Sequence, residues 1–286
     1  MRIAFASGKG GVGKTTLTAN LAQVWPRDCA LCDADVETPS LHLLLKPMIN
    51  ISQDITLEVV TAVTDSCVAC GDCRSFCRYG ALGRLGNRTV VFSDKCYGCG
   101  GCWQICEFQA LVKGERILGT IHEGVLATGA SFFSGTATVG EIFIQPLVQK
   151  LLAALPKVEE DILLDCPKGL GPEVFEVAKN TQAMVLVVEP SPLGLANFKL
   201  SFKALASHVL GCVLMRTGIP DHATSEADVL AYCAEENIPV FGLVPFEREA
   251  YAKIARGELL ALTEPYKAIF CQIAQNIYDQ LEVQRA

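Results

Sequence analysis

Two groups of residues in this sequence are spaced for chemistry. The first is Gly8-Lys9-Gly10-Gly11-Val12-Gly13-Lys14-Thr15-Thr16, which fits the phosphate-binding pattern G-x-x-x-x-G-K-[ST]. Glycines let backbone N–H groups curl round phosphate oxygens, and a helix N-terminus just behind them adds its positive end. In such a loop Lys14 reaches the β- and γ-phosphates and Thr15 offers its hydroxyl to Mg2+. The second group is a duplicated cysteine run, Cys67-x-x-Cys70-x-x-Cys73-x-x-x-Cys77 followed by Cys96-x-x-Cys99-x-x-Cys102-x-x-x-Cys106. In this spacing each run gives three thiolates to one [4Fe–4S] cluster and its fourth to the other. Cys67, Cys70, Cys73 and Cys106 are therefore expected to hold one cluster, and Cys96, Cys99, Cys102 and Cys77 the second. Zinc is the competing metal, since four-cysteine sites also bind it, but zinc does not call for two interlocked runs.

Lys9 makes the loop more particular, because the ordinary motif needs only one lysine. With it, the loop resembles the deviant P-loop K-G-G-V-G-K-T-T of the MinD/ParA family of ATPases. The resemblance implies that Lys9 reaches the nucleotide of a partner subunit when two chains sandwich two ATP molecules, much as an arginine finger does. It also implies roles for residues after later strands. Asp33-Ala34-Asp35 matches the family's D-x-D segment, with Asp35 orienting the attacking water and Asp33 near the Mg2+ shell; a competing role for either acid is to cap the next helix. Asp165-Cys166-Pro167-Lys168-Gly169 resembles the second switch, with Asp165 holding Mg2+ through water and the Gly169 N–H meeting the γ-phosphate. The family usually has a small residue or proline where Lys168 stands. Pro245 ends the last core strand, where the backbone lies beside the base. Where relatives carry an adenine-reading asparagine, this chain has Met215-Arg216.

The cysteine segment resembles a bacterial two-cluster ferredoxin, except that Arg78 and Glu107 replace the proline that usually follows each fourth cysteine. Taken whole, the chain resembles the MinD-superfamily ATPases with an inserted ferredoxin domain: an ATPase domain over 1–63 and 114–286, interrupted by a small α+β ferredoxin-like domain over 64–113.

The elements that must position these residues follow from hydrophobic pattern. Segments 3–6, 29–32, 161–164, 184–188, 211–215 and 240–244 are short apolar runs of buried-strand type, and helical segments such as 17–24 and 192–208 separate several of them. Strands alternating with helices predict a doubly wound, mostly parallel α/β sheet with the nucleotide at its carboxyl edge. Further strands are expected over 56–63, 117–121 and 125–128. Thr138-Val139-Gly140-Glu141 reads as a capping box that opens a helix to about residue 155. A C-terminal helix carries Ile269, Phe270, Ile273, Ile277 and Leu281 at helical spacing and reads as packed, its end too poor in basic residues for a membrane anchor.

Half of the 286 residues are apolar and the net charge is −7, which argues against broad binding to nucleic acid or anionic lipid. No secretory pattern precedes the loop and no apolar run is long enough to span a bilayer, so a cytoplasmic location is expected. Fourteen cysteines in such a chain suggest metal rather than disulfides. The six outside the runs, Cys29, Cys32, Cys166, Cys212, Cys233 and Cys271, read as buried packing residues. His42, His122, His208 and His222 match no metal-ligand spacing. The cysteine segment is mildly basic, which suits a solvated surface or a docking face.

The first reading is thus an ATPase, dimeric with ATP, whose nucleotide state is coupled to two [4Fe–4S] clusters. It would serve electron transfer to a redox partner or maturation of a metalloprotein. A positioning or scaffold ATPase with a redox-sensing module is one alternative. An iron–sulfur assembly carrier is another, although the C-terminal Cys-x-x-Cys of such carriers has no counterpart here. A reductase like the nitrogenase iron protein would need a cluster-ligating cysteine near Lys168.

Overall fold

The computed structural model describes residues 1–156, 161–219 and 223–285, without the side chains of 223–225 and 285; His222 lies outside the described residues. The chain divides into two compact units. The larger contains Met1–Ser52, Ile121–Thr136 and Val148–Ala286, the smaller Gln53–Thr120 and Ala137–Leu147. The smaller unit is therefore wider than the cysteine-bearing segment 64–113.

In chain order the elements begin with β1 (Arg2–Ser7), α1 (Lys14–Leu21), β2 (Cys29–Asp33), α2 (Leu41–Leu45) and β3 (Met48–Val63). The cysteine segment contributes α3 (Asp72–Phe76), β4 (Leu82–Leu85), β5 (Arg88–Val91) and α4 (Gly101–Ile105). There follow β6 (Leu111–Val125), β7 (Ser131–Ala137), α5 (Gln145–Ala154), β8 (Asp161–Lys168), α6 (Pro172–Lys179), β9 (Ala183–Val188) and α7 (Pro192–Leu205). The chain continues with β10 (Val209–Thr217), α8 (Ala223–Glu235), β11 (Val240–Pro245), α9 (Arg248–Ala255) and α10 (Tyr266–Arg285).

The larger unit is built on a sheet in the order β11-β10-β9-β1-β8-β2-β7-β6-β3, to which β3 and β6 contribute their 48–52 and 121–125 ends. Pairings from β11 through to β7 are parallel. Buried parallel strands have no solvent face, so they read as unbroken apolar runs; β9 is Ala-Met-Val-Leu-Val-Val and every residue of it is buried. Register then aligns what matters for a site. Asp33 on β2 lies opposite Asp165 on β8, and Ser7 on β1 lies opposite Lys168.

The core of this unit gathers Phe5, Leu17, Leu31, Phe132 and Val185 together with Phe270, Ile273, Ile277 and Leu281 of α10. The C-terminal helix is thus packed as its spacing predicts. Asn20, 1 % exposed, ties the two ends of the unit together. Its side chain donates to Thr16 O at 2.7 Å and accepts from Ala261 N at 2.7 Å.

Three local expectations differ from the structure. Residues 126–130 form a turn, closed by Leu126 N donating to Ala130 O at 2.9 Å, where a strand was expected over 125–128. The run before it extends as the single long strand β6. The capping box at 138–141 does not open a helix, since α5 begins only at Gln145. Glu141 is instead spent on the Arg116 guanidinium and on Phe143 N at 2.8 Å, while the Thr138 hydroxyl donates to Ile117 O at 3.1 Å. Among the scattered cysteines five are buried, but Cys271 is exposed on the outer side of α10.

The smaller unit has a repeated design. Both α3 and α4 are short helices entered through a left-handed glycine, Gly71 or Gly100, and left through an extended cysteine, Cys77 or Cys106. Cys73 and Cys102 are the second residues of these helices and are buried. An antiparallel pair, β4 and β5, links the two halves. Two small apolar clusters hold the unit. One is Val60, Cys73, Leu82, Cys102 and Leu111; the other is Val59, Ala81 and Cys96.

Candidate functional site

A cleft of about 290 Å3 opens at the carboxyl edge of the parallel sheet, past the ends of β1, β8 and β2 and over the start of α1. Gly10, Gly11, Gly13, Lys14, Thr15 and Thr16 form its floor, and Asp35, Thr38, Ser40, Lys168 and Arg216 its walls. Gly13 caps α1 with φ near 103°, a left-handed conformation that excludes a Cβ at little cost only for glycine. No acidic side chain occupies the first turn of α1, so its N–H groups and positive end face the cleft unopposed. Gly8 is needed for closeness: a Cβ there would lie 2.6 Å from Ser201 Oγ and 2.8 Å from Asn197 O.

The charged groups of the cleft are arranged in internal pairs. Lys14 is buried and donates from Nζ to Ser7 Oγ at 3.1 Å. The Thr15 hydroxyl donates to Asp165 Oδ2. Lys9 Nζ lies 2.5 Å from Glu189 Oε2, and Arg216 lies 3.4 Å from the other oxygen of the same carboxylate. Burial alone would raise Glu189, but these two cations hold it below the usual range. Lys168 pairs with Glu37 at 3.3 Å. The Gly169 N–H donates to Ser7 O at 3.1 Å.

Two buried acids stand side by side. Burial, with Asp33 nearby, raises Asp165 well above the carboxylate range; burial, opposed by backbone N–H groups, raises Asp33 to about 6. Asp165 Oδ1 has no hydrogen-bond partner among the described residues, although the residue is 1 % exposed. An orphaned buried oxygen beside a threonine hydroxyl fits a divalent cation, whose charge would offset the desolvation cost of the carboxylate. Asp33 is differently engaged. Its Oδ2 accepts from Ser40 N at 2.9 Å and Leu41 N at 2.8 Å, and its Oδ1 from Asp35 N at 3.2 Å. It is the cap of α2. Asp35 faces the cleft and accepts from the Thr38 hydroxyl at 3.2 Å.

A neighbouring, more apolar pocket shares Gly13, Thr16 and Arg216 with the cleft and continues over Met215, Val244, Pro245, Phe246 and Tyr251. Arg216 has φ of 62°, which turns its side chain towards Glu189. Of the groups lining this pocket the sequence singled out Pro245 and Met215-Arg216; around the cleft, Ser7, Ser40 and Glu189 carry no local signal that marks them.

In the smaller unit the cysteines fall into two sets that cross the runs. Burial raises Cys73, and the neighbouring thiolates of Cys106, Cys67 and Cys70 push the same way. Burial likewise raises Cys102 to about 11, with Cys96, Cys99 and Cys77 adding to it. A pocket is lined by Cys67, Cys70, Cys73 and Cys106. Backbone N–H groups point at two of the sulfurs, from Ala69 to Cys67 Sγ and from Ala110 to Cys106 Sγ, each at 3.4 Å. The Thr89 hydroxyl, 3.5 Å from Cys67 Sγ, pulls that thiol down. Among the described residues no three His, Cys, Asp or Glu side chains converge on a single metal-ion position.

The chain matches the CobQ/CobB/MinD/ParA nucleotide binding domain over residues 3–260. It belongs to that family, and its sheet is the mostly parallel one of the MinD/ParA P-loop ATPases. An uncharacterized protein of Methanocaldococcus jannaschii is 30% identical over 194 residues, 67% of this chain and 68% of that protein. An uncharacterized ATP-binding protein of the same organism is 25% identical over 276 residues, 92% of this chain and 81% of the relative. Among solved structures, the septum site-determining protein MinD of Pyrococcus horikoshii, complexed with Mg-ADP, superposes with a TM-score of 0.57 at 19% identity, covering 100% of this chain and 98% of that one. No described helix is long and apolar enough to cross a membrane.

Proposed function

We propose that this protein is an ATPase, dimeric when it holds ATP, whose nucleotide state is coupled to two [4Fe–4S] clusters in the smaller unit. It would pass electrons to a cytoplasmic redox partner or help mature a metalloprotein. The observation that carries the metal part is the crossing of the two runs: Cys106 lines one pocket with Cys67, Cys70 and Cys73, and Cys77 packs against Cys96. Such crossing is what a pair of cubanes asks for, since each thiolate meets a different iron and the four sulfurs stand round a cavity. Bound clusters would supply one-electron chemistry. The chain's own part is to hold the thiolates, and N–H groups such as those of Ala69 and Ala110 favour their charged form.

In the larger unit, the loop amides, Lys14 and the start of α1 would bind the phosphates. Thr15 and Asp165 would hold Mg2+, and Asp35 would orient water for attack on the γ-phosphate. Lys9 would leave Glu189 to serve the nucleotide of a second copy. ATP and Mg2+ are supported by the relatives' own nucleotides, an ATP-binding protein and a Mg-ADP complex.

Anaerobically purified protein should contain about eight iron and eight acid-labile sulfide per chain. Stoichiometric zinc with little sulfide would overturn the cluster reading. Coupling is tested by redox titration with and without a slowly hydrolysed ATP analogue. By linkage, a tenfold change in nucleotide affinity on one-electron reduction requires a shift of about 60 mV. Equal potentials in both titrations would leave an ATPase that merely carries its clusters.

A further inference from the structure

Lys168 is a basic residue in the nucleotide cleft that the phosphate-binding pattern does not ask for. It ends β8 directly opposite Ser7, the last residue of β1, so its backbone is fixed against the start of the loop. Its stem lies over that loop, with Cδ 3.7 Å from where a Cβ on Gly10 would be. Its ammonium is 3.3 Å from Glu37, and the two side chains are 44% and 46% exposed.

The cleft has a direction. At Gly13, Thr16 and Arg216 it runs into the apolar pocket that ends at Pro245 and Phe246, the end suited to a base. Gly10, Lys14, Asp35 and Lys168 line the cleft but not that pocket, so they lie on its side away from the base. On a nucleotide laid along the loop, that is where a terminal phosphate lies.

An exposed lysine–glutamate pair contributes little, so Lys168 is cheaply released. Charge-assisted bonds to phosphate are among the stronger ones, and a γ-phosphate beside Glu37 would repel that carboxylate. We infer that Lys168 exchanges Glu37 for the γ-phosphate and so makes this chain distinguish ATP from ADP. The inference rests on the nucleotide reading given above and adds to it a residue that sets triphosphate specificity. Lys9 does not compete for the role within one chain, being held on Glu189.

Affinities for Mg-ADP and for Mg-ATPγS, measured by titration calorimetry, test this in Lys168→Met, Glu37→Gln and Lys14→Ala. Lys168→Met should lose about tenfold or more in ATPγS affinity and less than about threefold in ADP affinity, roughly one charge-assisted contact. Glu37→Gln should tighten ATPγS and leave ADP nearly unchanged. Equal losses for both nucleotides, or no loss for either, in Lys168→Met would overturn the inference. The comparison is repeated in a Lys9→Ala background, where ATP-driven pairing of chains is removed. A Lys168 effect that disappears there would place the contact across subunits and also overturn it. Lys14→Ala reports separately on the underlying reading: if it still binds both nucleotides like the parent, the cleft is not the nucleotide site at all.

Discussion

The two units solve the problem of holding a charged ligand in opposite ways. The larger one is complete without it. Its sheet and α10 bury a continuous apolar core, and every basic side chain in the cleft already has an internal partner: Lys14 on Ser7, Lys9 and Arg216 on Glu189, Lys168 on Glu37. The smaller unit has no such independence. Its apolar clusters are few, and Cys73, Cys102 and Cys96 make up much of them. Cysteines proposed as ligands there also serve as core. The lesson is that the nucleotide site is preorganised by packing, whereas the cysteine sites should owe their order to what they bind.

The strongest way to break this comparison is to remove the clusters proposed for the smaller unit. Chelation of anaerobic protein should abolish hydrogen-exchange protection through residues 53–120 while β1, β8 and β9 keep theirs, because structural metal sites contribute folding free energy outright. Equal protection in both forms would mean that the smaller unit packs by itself. A smaller effect should come from the cleft. Asp35→Ala removes the carboxylate proposed to orient water, so on that proposal hydrolysis should slow by about a hundredfold or more with ADP affinity little changed. A parental rate, read by phosphate release, would move that role to another residue.

The smallest effect sharpens the role of Asp33. Its two buried oxygens accept three backbone N–H bonds, so Asp33→Ala should cost about 1–3 kcal/mol, and Asp33→Asn, which keeps one acceptor oxygen, a part of that. Thermal midpoints separate the two. If Asp33→Asn instead loses Mg2+-dependent nucleotide binding as Asp33→Ala does, the carboxylate charge and not the cap is what the site needs.

The same contrast explains what could be read from the chain alone. Gly8 to Thr16 works through consecutive residues and backbone conformation, so its pattern is visible without a fold. Cysteine spacing is equally local, and the buried strands announce themselves because neither face meets water. Pairs such as Lys9–Glu189 and Lys168–Glu37 join residues far apart in sequence, and only the sheet order brings them together. Asp33 shows a subtler limit. The D-x-D segment offers it either a place in the site or a cap on the next helix, and its engagement with Ser40 and Leu41 decides between them only when α2 folds back over the strand end. The false helix start at Thr138 failed for a related reason: Arg116, from β6, claims Glu141 before a cap can form.

The bridge through Asn20 bears on how the chain is made. Ala261 must donate to that side chain, and Phe270, Ile273, Ile277 and Leu281 must pack into the core that holds α1, before the phosphate loop has its final support. On a ribosome the loop emerges long before Ala261, and it waits for 241 residues of separation to be bridged. The cysteine-bearing unit, whose contacts span only 53–147, is released in full well before then. During synthesis, therefore, the cysteine-bearing unit can close first, and nucleotide meets a finished cleft only on a chain whose smaller unit is already complete.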